Sequence, residues 1–188
     1  MSSSTPLIST MHLTPSDRRD ILENALISLP VFGMFVYGGA KLLQFDDAAQ
    51  ISTPVSALSG MELMWAFYGY SKAYVLLLGS LEITGGVLML FKRTRLPGCL
   101  FTTTILVNVI IQDIVYGVHL GALKAAVLYQ LLILVVLWLH RSRLRAALDE
   151  LLLATALRVD RKAVFKGILV FVAFVVLRVV EYLITIRF

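Results

Sequence analysis

The sequence predicts an all-α membrane protein, a polytopic bundle of transmembrane helices. Of its 188 residues, 59% are hydrophobic, and the mean hydropathy is +0.85. A soluble domain of this size would have too few polar residues left to cover its surface. Several apolar runs are long enough to cross a bilayer, since about 20 helical residues span its hydrocarbon core. The predicted partner is therefore the lipid bilayer.

A net charge of +5 raises the question of a nucleic-acid partner. The basic residues cluster at the ends of the apolar runs, where they act as topology signals. No nucleic acid is predicted to bind.

Hydropathy divides the chain into four parts. They are a polar segment with a short surface helix (1–24), a four-span bundle (25–142), a cytoplasmic amphipathic helix (143–162) and a fifth span (163–188). Within the bundle, the spans are predicted at about 25–45, 73–91, 98–116 and 123–139.

The first helix is predicted to begin at Thr14, which has the side chain of an N-cap and is followed by Pro15. It should lie at the membrane surface, ahead of the first span. Pro30 is expected to kink that span. Lys41, near its end, could either snorkel outward or turn inward toward a carboxylate.

The connection between the first and second spans contains an aromatic, amphipathic stretch at 61–70, MELMWAFYGY. Its composition suits the headgroup level, so it is either a short interfacial or re-entrant helix or a packed loop over the bundle mouth. The second span follows, with Glu82 at its centre. An ionisable group at this depth must be paired, neutralised or hydrated.

The third span carries a polar stripe. At 100° per residue, Asn108, Gln112, Tyr116 and His119 lie within about 80° of one another, whereas Asp113 points about 140° away from Asn108. Apart from this stripe, the third and fourth spans are predicted to be apolar helices.

After the fourth span, residues 143–158 have apolar residues at helical spacing and should form a helix lying flat on the membrane. The fifth span carries Arg178 and Glu181, three residues apart in an otherwise apolar run.

Most of the 17 Lys and Arg residues fall on one side of these five spans if the N-terminus is cytoplasmic. Positively charged loops stay in the cytoplasm, so the predicted orientation is N-in and C-out.

The polar residues inside the spans form a layer from mid-membrane outward, predicted to surround a ligand-binding or proton-handling chamber. Charged residues within spans usually face the bundle interior or a wet cavity. The alternative is structural pairing between helices. The candidate residues are Tyr37, Lys41, Glu82, Asn108, Gln112, Asp113, Arg178 and Glu181.

Other chemistry finds little support in the sequence. Cys99 is alone, which excludes an intramolecular dithiol. His119 and His140 flank the fourth span, about 30 Å apart, so they cannot share one haem. No metal site is predicted, and the nucleophile and phosphate-loop motifs are absent from the sequence, so catalytic residues remain unassigned.

Several short segments carry a family pattern. They are MFVYGGAKL at 34–42, GYSKAY at 69–74, GSLEITGGVL at 79–88 followed by Arg93 and Thr94, and Asn108. Together they resemble the DoxX-like membrane proteins over about 29–143. The resemblance implies a compact four-helix membrane bundle and, since some members belong to quinone-linked sulfur-oxidation or oxidative-stress complexes, a place in the bacterial cytoplasmic (inner) membrane.

The leading functional hypothesis is a DoxX-like subunit whose chamber binds a quinone-like or other small amphipathic molecule. A quinone is then the candidate cofactor, and oxidoreductase subunits or further copies of the chain are the candidate partners. Two alternatives remain: a small proton-coupled or lipid-handling transporter, and a purely structural subunit of a membrane complex.

Overall fold

The computed structural model describes residues 13–152 and 161–185, and within these it is all-helical, without strands. The helices are α1 (Pro15–Ala40), α2 (Gly60–Gly69), α3 (Lys72–Leu90), α4 (Arg95–Val115), α5 (Leu120–Leu139), α6 (Arg141–Leu151) and α7 (Arg161–Thr185). Five of them, α1, α3, α4, α5 and α7, are long and apolar enough to cross a bilayer. The chain is therefore a membrane protein.

The chain forms two units, divided between Leu144 and Arg145. In the first unit, four helices pack in the cyclic order α1, α3, α4, α5, each against its two neighbours. Neighbouring helices run antiparallel: Arg19, near the start of α1, donates to the Leu139 carbonyl at the end of α5. The second unit contains most of α6 and all of α7.

The predicted short N-terminal helix is not a separate element. A capping box at Thr14 and Asp17 starts α1, as expected, but the helix then continues unbroken through buried Pro30 to Ala40. The reason is tertiary: Glu23 is buried in the bundle, so this segment packs against other helices instead of lying on the membrane. The predictions for residues 1–12 lie outside the described part of the chain.

The first span also ends earlier than predicted. Residues after Ala40 form turns, and Phe45 adopts φ 74°, a left-handed conformation that is rare for a residue with a side chain. The ring of Phe45 is buried against Met64 and Tyr68 in a small apolar cluster. This packing holds a backbone geometry that costs about 1–3 kcal/mol.

The aromatic stretch is a helix rather than a loop. Ser59 caps α2 and forms a capping box with Glu62. The Ser59 hydrogen bonds lower the pKa of the exposed Glu62 carboxyl. The amphipathic helix predicted after the fourth span is α6, and the rest of that prediction, residues 153–160, falls outside the described residues.

Candidate functional site

A cavity of about 500 Å³ lies at one end of the four-helix unit, where α1 and α4 end and α3 and α5 begin. This volume suits a small organic molecule. Most of its lining is apolar, with Met34, Leu78 and Ala126 among the wall residues. Helix α2 and the turn around Phe45 complete the wall.

Two glycines set the spacing of the helices beside this cavity. A Cβ on Gly38 of α1 would lie 2.8 Å from the Gly79 carbonyl of α3, and a Cβ on Gly79 would lie 2.6 Å from the Gly38 carbonyl. Both approaches are closer than carbon and oxygen tolerate, so glycine is required at each. Lys41 and Glu82 each lie three residues beyond one of these glycines, on the same helix face.

The close crossing brings Lys41 and Glu82 together. The Lys41 ammonium lies 3.4 Å from Glu82 Oε1, with side chains 13% and 7% exposed, and it also donates to Gln44 Oε1 at 3.0 Å. Of the two sequence alternatives for Lys41, the structure has the inward one. Glu82 Oε2 is buried and has no hydrogen-bond partner among the described residues.

Asp113 lines the same cavity, although its helical angle placed it away from Asn108. Because α4 packs against both α3 and α5, more than one of its faces borders the cavity. Asp113 is 7% exposed. Its Oδ2 atom is buried and unpartnered within the described residues.

An amide–phenol chain forms a third polar group. Gln112 Nε2 donates to Asn108 Oδ1 at 2.7 Å, as the shared stripe predicted. The Tyr68 hydroxyl donates to Gln112 Oε1 at 2.6 Å. Burial raises the pKa of the Tyr68 phenol, which keeps this donor protonated.

Tyr68 is a cavity residue that the sequence analysis missed. It belongs to an aromatic group on the cavity wall, in which its ring stacks on Phe45 at 5.2 Å and on Tyr74 at 6.1 Å between centroids. Trp65 contacts Phe45 edge-on at 4.7 Å. The signal was the aromatic face of the 61–70 helix, which had been assigned to the headgroup level.

Tyr37 also lines the cavity, and its ring meets Tyr129 edge-on at 6.3 Å. Six of the eight predicted site residues are therefore brought together: Tyr37, Lys41, Glu82, Asn108, Gln112 and Asp113. Arg178 and Glu181 belong to the second unit, where they pair with each other at 2.5 Å within α7.

The sequence analysis also missed a buried ion cluster at the opposite end of the unit. Arg95, read as a topology signal, is only 3% exposed. Its guanidinium donates to Glu23 at 2.8 Å and to Asn24 Oδ1 at 2.9 Å, and its Nε donates to the Met89 carbonyl. His140 Nε2 lies 2.9 Å from the other Glu23 oxygen.

No group of three or more His, Cys, Asp and Glu side chains among the described residues is placed to hold a metal ion.

Comparison with known proteins gives one relationship. No protein-family model matches the chain, and no solved structure matches it. It is 32% identical to the uncharacterized protein YwoB of Bacillus subtilis (strain 168) over 114 residues, which are 60% of this chain and 72% of YwoB. The chain belongs to the YwoB family. The description of YwoB assigns no activity, so membership of the YwoB family brings no function with it.

Proposed function

We propose that this protein binds a small amphipathic molecule in the cavity between α1, α3, α4 and α5. One observation carries the proposal: a largely apolar cavity of about 500 Å³ holds two carboxylates, each with a buried oxygen that has no partner in the described part of the chain. Apolar walls with a few convergent polar groups are typical of ligand sites. Structural pairing alone would leave no reason for a void beside unsatisfied acceptors.

The DoxX-like resemblance of residues 29–143 extends this proposal. It makes a quinone one candidate for this molecule, and it makes the chain a subunit that serves a partner oxidoreductase in the bacterial cytoplasmic membrane. The Lys41 ammonium would then donate to a ring carbonyl, and Glu82 and Asp113 would handle protons. Electrons would pass through the ligand and the partner protein.

Charge distribution supports an N-in, C-out orientation, with the cavity at the extracytoplasmic end. Lys92 and Arg93 follow α3 at the end of the unit opposite the cavity, where the cytoplasmic loops are proposed to lie. The C-terminus should therefore lie outside the cytoplasm, and a reporter fused to it should show its activity there. Activity in the cytoplasm would contradict this orientation.

Ligand binding is tested by mass spectrometry of the small molecules retained after purification in mild detergent. The unmodified protein should retain a molecule that Ala122→Phe excludes, because Ala122 lines the cavity and a phenyl ring there takes up part of the space for the ligand. Ala73→Phe, on an exposed position of α3, is the matched control and should retain the molecule. Equal retention by both variants, or no retained molecule in the unmodified protein, would refute the proposal.

A further inference from the structure

The charges of the cavity do not balance. Among the described residues that line it, Lys41 is the cation, and it faces two carboxylates, Glu82 and Asp113. Ionised, these three groups leave one negative charge in the site. The Lys41 ammonium is already engaged by Glu82 Oε1 and Gln44, and Asp113 has no ion pair within the part of the chain that the structure describes.

Several other polar groups of the cavity already have hydrogen-bond partners within the protein. Gln112 donates to Asn108, and Tyr68 donates to Gln112. His119 Nδ1 accepts from the Gly121 N–H at the start of α5. Two buried acceptors of the cavity, Glu82 Oε2 and Asp113 Oδ2, have no hydrogen-bond partner among the described residues.

A ligand that satisfies these acceptors must donate hydrogen bonds. The carbonyl oxygens of an oxidised quinone accept only, so they would leave both carboxylate oxygens unpartnered. A reduced quinol has hydroxyl donors but brings no positive charge. An ammonium group offers N–H donors together with a charge of the missing sign, and hydrogen bonds between charged groups are the strongest available.

The aromatic side chains of the wall favour the same class of ligand. Phe45, Trp65, Tyr68 and Tyr74 all line the cavity. Aromatic rings attract organic cations electrostatically and also pack against an apolar body. A molecule with an ammonium head and an aromatic or alkyl body would therefore use both parts of the lining.

We infer that the ligand of this cavity is an amphipathic organic cation whose ammonium group donates to Asp113 Oδ2. Glu82, shared with Lys41, supplies the second negative charge at the site. The inference rests on the proposed ligand-binding function and specifies the head group of the ligand.

Three indole compounds that share one body but differ in head charge test this inference. They are tryptamine, which is cationic, tryptophol, which is neutral, and indole-3-propionate, which is anionic. Binding to the protein in lipid nanodiscs is measured by calorimetry, with empty nanodiscs as the blank. We expect tryptamine to bind about tenfold more tightly than tryptophol, as one charge-assisted hydrogen bond provides, and indole-3-propionate to bind most weakly.

Asp113→Asn should weaken tryptamine binding about tenfold and leave tryptophol unchanged. Asp113→Glu keeps the charge and should retain the preference for the cation. Asp20→Asn removes a carboxylate that pairs with Lys92 at the opposite end of the unit, and it should change nothing. The ranking of the three compounds on the unmodified protein tests the inference even if Asp113→Asn does not fold.

Equal binding of tryptophol and tryptamine, or tighter binding of indole-3-propionate, would overturn the inference and leave the proposed function standing. So would identification of the retained molecule as a quinone. Binding of none of the three compounds would also overturn it, and the retention experiment with Ala122→Phe then decides the proposed function separately.

Discussion

The buried Lys41–Glu82 pair allows a quantitative test of how the two helices are held beside the cavity. At the observed 3.4 Å, two unit charges attract by about 5 kcal/mol at an effective dielectric constant of about 20. Desolvation offsets part of this attraction. We therefore expect Lys41→Met and Glu82→Gln each to lower the free energy of unfolding by about 2–3 kcal/mol, because each leaves a buried polar group without its partner.

The double variant should lose no more stability than either single one, since nothing further is broken. The coupling free energy from this cycle is then about 2–3 kcal/mol. It is measured by reversible unfolding of the purified protein in mixed micelles with sodium dodecyl sulfate, followed by circular dichroism. Effects that add to within about 0.5 kcal/mol would refute the argument.

The chain offers a matched control pair at the opposite end of the unit. Lys92 and Asp20 lie 2.6 Å apart, but their side chains are 61% and 55% exposed. Solvent-exposed ion pairs contribute about 0–1 kcal/mol. The cycle of Lys92→Met and Asp20→Asn should therefore show the smaller coupling despite the shorter distance. The reverse order would mean that distance, and not burial, governs these pairs.

Two further pairs of substitutions test the packing of α1 against α3 and the burial of Arg95. Gly79→Ala should lower the free energy of unfolding by about 1–3 kcal/mol, because the new Cβ meets a backbone carbonyl that cannot move aside. In Gly39→Ala the new Cβ meets nothing within 4 Å, so this variant should be neutral or slightly stabilising. Both free energies are measured by the same unfolding titration. Arg95→Gln should lower the free energy of unfolding by about 3–5 kcal/mol, because it leaves the buried Glu23 carboxylate without its cation. Arg93 is exposed, so Arg93→Gln should change the unfolding midpoint little. Equal unfolding midpoints for these two variants would contradict the burial of Arg95.

Hydropathy and charge were sufficient to predict the spans and the membrane class. The apolar runs around Glu82 and Asn108 became α3 and α4 with ends shifted by few residues, because a bilayer demands helices of a fixed minimum length. Lys41, Glu82 and Asn108 line the cavity, which agrees with the tendency of charged and polar groups in a span to avoid lipid.

The sequence did not predict which helices pack against one another. Glu23 and Arg95 are separated by 72 positions, and each alone resembles a surface residue near a membrane boundary. Tyr68 had the same ambiguity, because an aromatic residue near the interface suits both a headgroup belt and a cavity wall. Only tertiary packing distinguishes these alternatives.

The two ends of the four-helix unit differ in how completely their buried carboxylates are hydrogen-bonded. At one end, both oxygens of Glu23 have partners, and the guanidinium of Arg95 also bonds Asn24 and a backbone carbonyl. At the other end, Glu82 pairs with Lys41 through Oε1, and its Oε2 has no hydrogen-bond partner among the described residues beside the open cavity.

Poor packing does not explain this contrast, because the same helices build both ends. Gly38 and Gly79 draw α1 and α3 into backbone contact directly beside the cavity, so the void lies next to a close helix contact. An unsatisfied buried acceptor lowers stability unless something else compensates for it. A ligand that donates to these oxygens would provide that compensation, and binding it would then stabilise the folded protein by an amount that rises with the logarithm of the ligand concentration once this exceeds Kd.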